Sequence, residues 1–342
     1  MKKMLALVLA LCMTLALAAC GGSTKEAPAA EADASAAPAA AAATSVDTDT
    51  VAVGAVIIAR DDVNEDSVYQ FVSTIFENAD EIAQQHGMGA QLDLEFASSV
   101  TSVPYHPGAA KYFSEKGIEV AAVKDGAGTG EKADLTFGTG GDTGTYYGYG
   151  SVLANYVSGN SDFTITAVTS GGSKANVEDM AAGDVQMGFV QSDVMSYAYN
   201  GERLFESADT GFSVVAALYM EQVQIVTTNP DIKSVADLSG KTVSIGAVGS
   251  GVYFNAIDVL GAYGIAESDI SPVYQSFGDS ADSLKDGKID AAFIVAGAPT
   301  TAITDLAASG SVYLVSLDQE HVDSLLSENS FYSAYTIPAG TY

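Results

Sequence analysis

Residues that carry much of enzyme chemistry are scarce here: 342 residues include two cysteines, three histidines and only two arginines. Cys12 and Cys20 both lie in the first twenty positions, so the body of the chain has no disulfide, no thiolate nucleophile and no cysteine zinc site. His86, His106 and His321 are scattered, without the spacing that gathers a metal, and no serine stands in a G-x-S-x-G turn. Arg60 and Arg203 alone can offer a bidentate guanidinium to a carboxylate. Positive charge is short overall, with 14 Lys and Arg against 43 Asp and Glu, a formal net charge of −29. Losing Lys2 and Lys3 with a leader makes the remainder more acidic still. Such a surface repels nucleic acid and anionic lipid, so no nucleic-acid partner is expected. No metal or other cofactor is expected either.

What is present begins with a leader. Lys2 and Lys3 precede the apolar run from Met4 to Ala16, too short to span a bilayer, and then Leu17, Ala18, Ala19 and Cys20. That tetrapeptide resembles a lipobox. It predicts a signal peptide over 1–19 and a Cys20 thiol that takes diacylglycerol, becomes the new N-terminus and is acylated. An exported, lipid-anchored protein at the outer face of the cell membrane, or in the periplasm, follows. Residues 20–50 are alanine-dominated without a regular apolar face and read as a flexible tether.

Beyond the tether, apolar runs and helical periodicity alternate. A near-continuous apolar strand is expected over 51–59, an amphipathic helix over 66–84 and a short helix over 107–116. Residues 117–132 contain GAGTGEK and read as a flexible linker. Strands and helices then alternate: strands at 134–138, 163–169 and 186–190, helices at 144–157 and 173–182. After a strand at 218–227 the pattern repeats from Thr242 with strands near 243–247, 272–277, 290–297 and 312–317 and helices at 251–263, 279–285 and 299–308. Consecutive strand–helix units imply mostly parallel sheets covered by helices, so the chain reads as two α/β lobes.

The loops after the strands are rich in glycine and serine and open helices, an arrangement that points backbone N–H groups at a small anionic or polar ligand. LTFGTGGDTGTYYGYG, Leu135 to Gly150, is the fullest example. A dinucleotide-binding enzyme fits it poorly: counting from Gly138, Thr143 stands where a third glycine belongs, and no acidic residue ends the next strand. A P-loop lacks its Gly-Lys-Ser/Thr. Glu77, Asp80 and Glu81 share an exposed helix face and read as solvated rather than catalytic. No enzyme activity is expected.

FGTGGDTGTYY, TSGGSKANVEDMAAGDVQMGFVQSDV, IKSVADLSGKTVSIGAVGSGVYFNA and DGKIDAAFIVAGAPT resemble the TRAP-associated extracytoplasmic immunogenic (TAXI) proteins, solute receptors of tripartite ATP-independent periplasmic transporters. The order differs from that family's. TVAVGAVIIARDDVNEDSVYQFVSTIFENADE and PYHPGAAKYFSEKG resemble its C-terminal end yet stand at residues 50–117, and the chain ends in IPAGTY, which should precede TVAVGA. The resemblance therefore implies a two-lobed, type II periplasmic-binding-protein fold in circularly permuted order. Its hinge strands would be 51–59 and 219–229, lobe 1 60–218 with 117–132 joining the family's usual ends, and lobe 2 230–342.

The resemblance also implies capture of a small solute between the lobes, such as glutamate, glutamine or a dicarboxylate, and delivery to a TRAP permease. The residues expected to hold it are Thr139, Gly140, Gly141 and Tyr146; Ser170, Ser173, Lys174 and Asn176; Gln191 and Asp193; and from the other lobe Ser250, Gly251, Asn255, Gly297 and Pro299. Each has a structural alternative. The glycines can simply permit tight turns, Ser173 and Asp193 can cap helices, and Tyr146, Tyr147 and Tyr149 cannot all face one cleft. A surface lipoprotein without a ligand is a further reading.

Overall fold

Two long antiparallel strands run through both halves of the molecule in the computed structural model, which describes residues 45–342. They are β1 (Thr48–Arg60) and β5 (Phe212–Thr227). Both are nearly continuous runs of small and β-branched residues, the pattern of strands covered on both faces. The leader, Cys20 and most of the expected tether lie outside the described residues. Thr48, Asp49 and Thr50, expected in the tether, already belong to β1.

The first half carries β2 (Leu135–Gly138), β3 (Ile165–Val168) and β4 (Met187–Gln191), ordered β3-β2-β4 and then β1. The second carries β6 (Thr242–Ser244), β7 (Ser271–Val273) and β8 (Ala291–Ala296), ordered β7-β6-β8 and then β5. Within each half the three strands are parallel and their spatial order is second, first, third. Two such units joined by crossing strands are the type II arrangement. β9 (Tyr313–Leu314) and β10 (Ser333–Ile337) add to β5 and β1.

Helices α1 (Glu65–Glu77), α2 (Ala79–Gln85), α3 (Leu94–Ala97), α4 (Pro107–Glu115), α5 (Thr145–Asn160), α6 (Ser173–Ala182) and α7 (Ser192–Asn200) pack on the first lobe. The second lobe has α8 (Val252–Ala262), α9 (Phe277–Lys285), α10 (Thr301–Ser309) and α11 (Gln319–Glu328). The helix expected over 66–84 is two helices: at Asn78 the side-chain amide donates to the Thr74 carbonyl at 2.8 Å, competing with the backbone ladder. β5 starts seven residues before the expected hinge strand at 219, whereas β7 and β9 are shorter than the apolar runs that announced them.

Residues 117–132, expected as a flexible linker, are tied along lobe 1. Tyr105 and Lys124 exchange backbone bonds with Ala122 and Tyr105 at 2.8 Å, and Gly128 N–H donates to the Asp61 carbonyl at 2.7 Å. The Lys132 ammonium reaches both Asp66 at 2.7 Å and Asp162 at 2.6 Å. Gly130 sits so close that a Cβ there would fall 1.9 Å from the Asp62 carbonyl oxygen.

The two lobes have separate apolar cores. Phe71, Phe137, Tyr149, Phe189 and Tyr219 anchor the first. Val243, Val259, Leu260 and Phe293 anchor the second. The ends of the described chain meet beside β1, where Thr48 pairs with Ile337 and Ala339 N–H donates to Asp47 Oδ1 at 2.9 Å. No helix among the described residues is long and apolar enough to cross a membrane.

Candidate functional site

A cleft lies between the halves where the parallel strands end and the next helices begin, the position at which such sheets bind ligands. From lobe 1 it is lined by Gly140, Gly141, Gly144, Thr145 and Tyr146, by Ser170 to Ser173, and by Gln191. Lobe 2 contributes Ala247, Ser250 to Val252, Gln275 to Phe277, and Val295 with Ala296; Glu221 rises from the crossing strand β5. The space between the walls is about 580 Å³, a figure that includes open solvent at its mouth.

The lobes touch around it. Ala175 N–H donates to the Gly249 carbonyl at 2.9 Å, the Thr145 hydroxyl to the Gly297 carbonyl at 3.0 Å, and Ala302 N–H to the Thr143 carbonyl at 3.3 Å. These bonds hold the halves in a closed arrangement. Gly251 shows how close the approach is, since a Cβ there would lie 1.7 Å from Gln191 Oε1.

Polar groups on the walls are under-satisfied. The Glu221 side chain is 2 % exposed, and Tyr146 Oη donates to its Oε2 at 2.7 Å. Burial holds the Glu221 carboxyl well above the usual carboxylate range; the Tyr146 hydrogen bond opposes this, and the nearby Asp193 adds to it. Tyr146 is fixed in turn by stacking on Phe189, with ring centroids 4.6 Å apart and planes 7° from parallel. Gln191 Oε1, Gln275 Oε1 and Ser250 Oγ are buried atoms with no hydrogen-bond partner in the protein. Unpaired buried acceptors cost free energy until a donor meets them.

Of the residues singled out from sequence, Gly140, Gly141, Tyr146, Ser170, Ser173, Gln191, Ser250 and Gly251 line the cleft. The others do not. Thr139 is buried behind its loop, its hydroxyl on the Val168 carbonyl, while Asn176 Nδ2 supports that loop by donating to the Thr139 and Phe189 carbonyls. Lys174 turns outward to pair with Glu178, its ammonium over the Phe205 ring, because adjacent positions on a helix diverge by about 100°. Gly297 offers its carbonyl to Thr145 but does not line the space, and Pro299, after a cis bond from Ala298, lies beyond it. Ser173 is not the cap of α6: Gly172 holds that place with φ 105°, a left-handed conformation that favours glycine, and Ser173 Oγ instead accepts from Gln191 N–H at 3.1 Å. Tyr149 packs in the core against His86 rather than facing the cleft.

Asp193 and Asn255 meet each other across the interface, beside the cleft. Asn255 Nδ2 donates to Asp193 Oδ2 at 3.0 Å and to Tyr332 Oη at 2.9 Å; Tyr332 Oη donates to Asp258 Oδ2 at 3.1 Å; Arg203 pairs with Asp258 Oδ1 at 2.7 Å. Burial, with the charge of Asp258 nearby, pushes Asp193 up to about 7. Arg203 is thus committed to an interlobe latch, and Arg60 pairs with Asp62 at the end of β1.

Sequence reasoning missed Glu221, Gln275, Phe277 and Thr145. Glu221 had a signal: one carboxylate in the apolar strand FSVVAALYMEQVQIVT. Gln275 and Phe277 fell inside an apolar run read as a strand, and nothing local marked them as facing a ligand.

Known structures resemble the chain only loosely. SsuA, the alkanesulfonate-binding protein of Xanthomonas axonopodis pv. citri solved with MOPS, aligns at 20% identity over 54% of this chain and 61% of its own, with a TM-score of 0.38. The periplasmic aliphatic sulphonate binding protein SsuA of Escherichia coli aligns at 18% over 61% and 66%, with a TM-score of 0.36. Holo ArgBP from T. maritima aligns at 17% over 58% and 88%, with a TM-score of 0.37. The chain spans less than two thirds of either SsuA protein, and overlaps this weak carry no argument about its ligand. The model of the NMT1-like family matches residues 25–117 and 137–342, most of the sequence, and the chain belongs to that family.

Proposed function

We propose that this protein captures one small polar solute in the interlobe cleft and, as the TAXI resemblance implies, presents it to a TRAP-type membrane permease. The observation that carries the reading is the cleft itself: two α/β lobes on crossing strands, closed by interlobe hydrogen bonds over glycine-rich helix-opening loops. Closure excludes water and strengthens every polar contact made within. Cys20 would tether the receptor beside the permease, several acyl chains holding far better than one. Catalysis is not part of the reading, since the lining residues form no nucleophile–base pair.

Thermal-shift measurement of the purified full chain against amino acids, dicarboxylates, sugars and sulfonates tests it. At a hundredfold excess over Kd a true ligand adds about 2.7 kcal/mol of stability. A melting temperature that no small solute raises, but a nicotinamide cofactor does, would return the chain to the dinucleotide-binding enzymes.

A further inference from the structure

We propose that Glu221 decides which solutes the cleft accepts: its carboxylate takes the ammonium, or another cationic N–H group, of the solute, and molecules that offer only carboxylates are refused. This rests on the solute-capture reading and narrows it. The argument starts from what faces the space. No Lys, Arg or His lines it; the nearest candidates are spent elsewhere, Lys174 on Glu178 and Arg203 on Asp258. The single ionisable acid or base on the walls, tyrosine aside, is Glu221, which accepts one hydrogen bond from the protein, from Tyr146, where an ionised carboxylate has about four acceptor sites.

A buried carboxylate with acceptor sites to spare, in a cleft lined by no cationic side chain, asks for an occupant that brings N–H groups, and an ammonium brings three. A second carboxylate placed there would force Glu221 to keep its proton and would find no side-chain cation to offset its own burial. A carboxylate elsewhere on the same solute is not excluded, because the opening turns of α6 and α8 border the cleft and favour negative charge. A zwitterion spanning both regions satisfies the site; a dicarboxylate without an amine does not.

Isothermal titration of the purified full chain decides between these. The probes are L-alanine, L-glutamine and L-glutamate, their counterparts without the ammonium (propanoate, glutaramate and glutarate), and D-glucose. Binding is expected from amino acids alone, with each deaminated counterpart at least about a hundredfold weaker, and Glu221→Gln should weaken the bound amino acid by about tenfold or more. Glutarate or glucose binding as tightly as the amino acids overturns the role of Glu221 while leaving solute capture intact, and so does an unchanged affinity in a folded Glu221→Gln protein. Silence across the whole panel overturns the role of Glu221, and capture of small polar solutes falls with it when the wider thermal-shift panel is silent as well. The unmodified protein alone decides the selectivity, so the outcome survives a variant that fails to fold.

Discussion

Glu221 is buried on β5, with Tyr146 donating to it from α5, Tyr219 beside it on its own strand and Asp193 on α7 adding negative charge. Burial favours the neutral carboxyl in the empty cleft, and an arriving ammonium favours the ionised one, so binding should expel a proton. The sign follows: below the raised pKa of the empty protein, affinity for an amino acid climbs with pH by up to about tenfold per unit, then levels off once Glu221 is already ionised. Titrations between pH 5 and 8 in buffers of different ionisation enthalpy would show it; affinity that falls as pH rises would contradict a carboxyl of this kind at the site. Gly251 offers a second test at this scale. Its φ of −75° suits any residue, so Gly251→Ala probes space alone, and the added methyl must displace the Gln191 amide or part the lobes. Affinity should drop by roughly tenfold, within overpacking costs of about 1–3 kcal/mol, and isothermal titration of the variant checks it. The sequence showed which loops would converge, because strand, glycine turn and helix opening are local features. It did not show which side chain of each loop points inward: Ser173 and Lys174 are neighbours, yet one faces the cleft and the other Glu178.

At the scale of elements, α7 and the turn after it meet α8 of the other lobe through Asp193, Asn255, Asp258 and Arg203. The Asp258 side chain is 8% exposed, so losing the guanidinium leaves a nearly buried carboxylate facing Asp193. Arg203→Gln keeps length and a hydrogen-bonding head while removing the charge. The variant should lose about 1–3 kcal/mol of stability, the cost of leaving a buried acceptor unpaired, and release solute faster, since the latch exists only when the lobes meet. Thermal unfolding and stopped-flow release measure the two effects, and a variant indistinguishable in both would mean the pair is merely solvated. Arg203 stood out in the sequence as one of two arginines, but its partner lies 55 positions away on another lobe and no periodicity announces it. Elements were legible where an apolar run was long and unbroken, as in β1, and blurred where a single side chain intervened, as Asn78 does between α1 and α2. α11 and β10 went unread although Val322, Leu325 and Leu326 stand at helical spacing; α11 docks onto α8 and β10 onto β1.

For the whole molecule, the two second-first-third strand orders on either side of β1 and β5 follow from the alternation visible in sequence, whereas the closeness of the chain's two described ends does not. β10 leads out of lobe 2 against the start of β1, Ile337 opposite Thr48, and Ala339 is bonded to Asp47. That adjacency supports the proposal that the block at 50–117 once followed IPAGTY. Only two residues separate Ala339 from Tyr342, so a Gly/Ser linker of about six residues, reaching roughly 20 Å, can join Tyr342 to Ser45. The compensating break belongs between Asp125 and Gly126, both exposed, because Lys124 stays bonded to Tyr105 on one side and Gly128 to Asp61 on the other. A chain running from Gly126 through Tyr342 and the linker to Asp125 keeps every strand pair and both cores, and should fold with a melting temperature within a few degrees of the original and bind the same solute with the same affinity. If this rearranged chain fails to fold, or folds with its cleft unable to bind, the present order is part of how the two lobes assemble, and the permutation account does not hold.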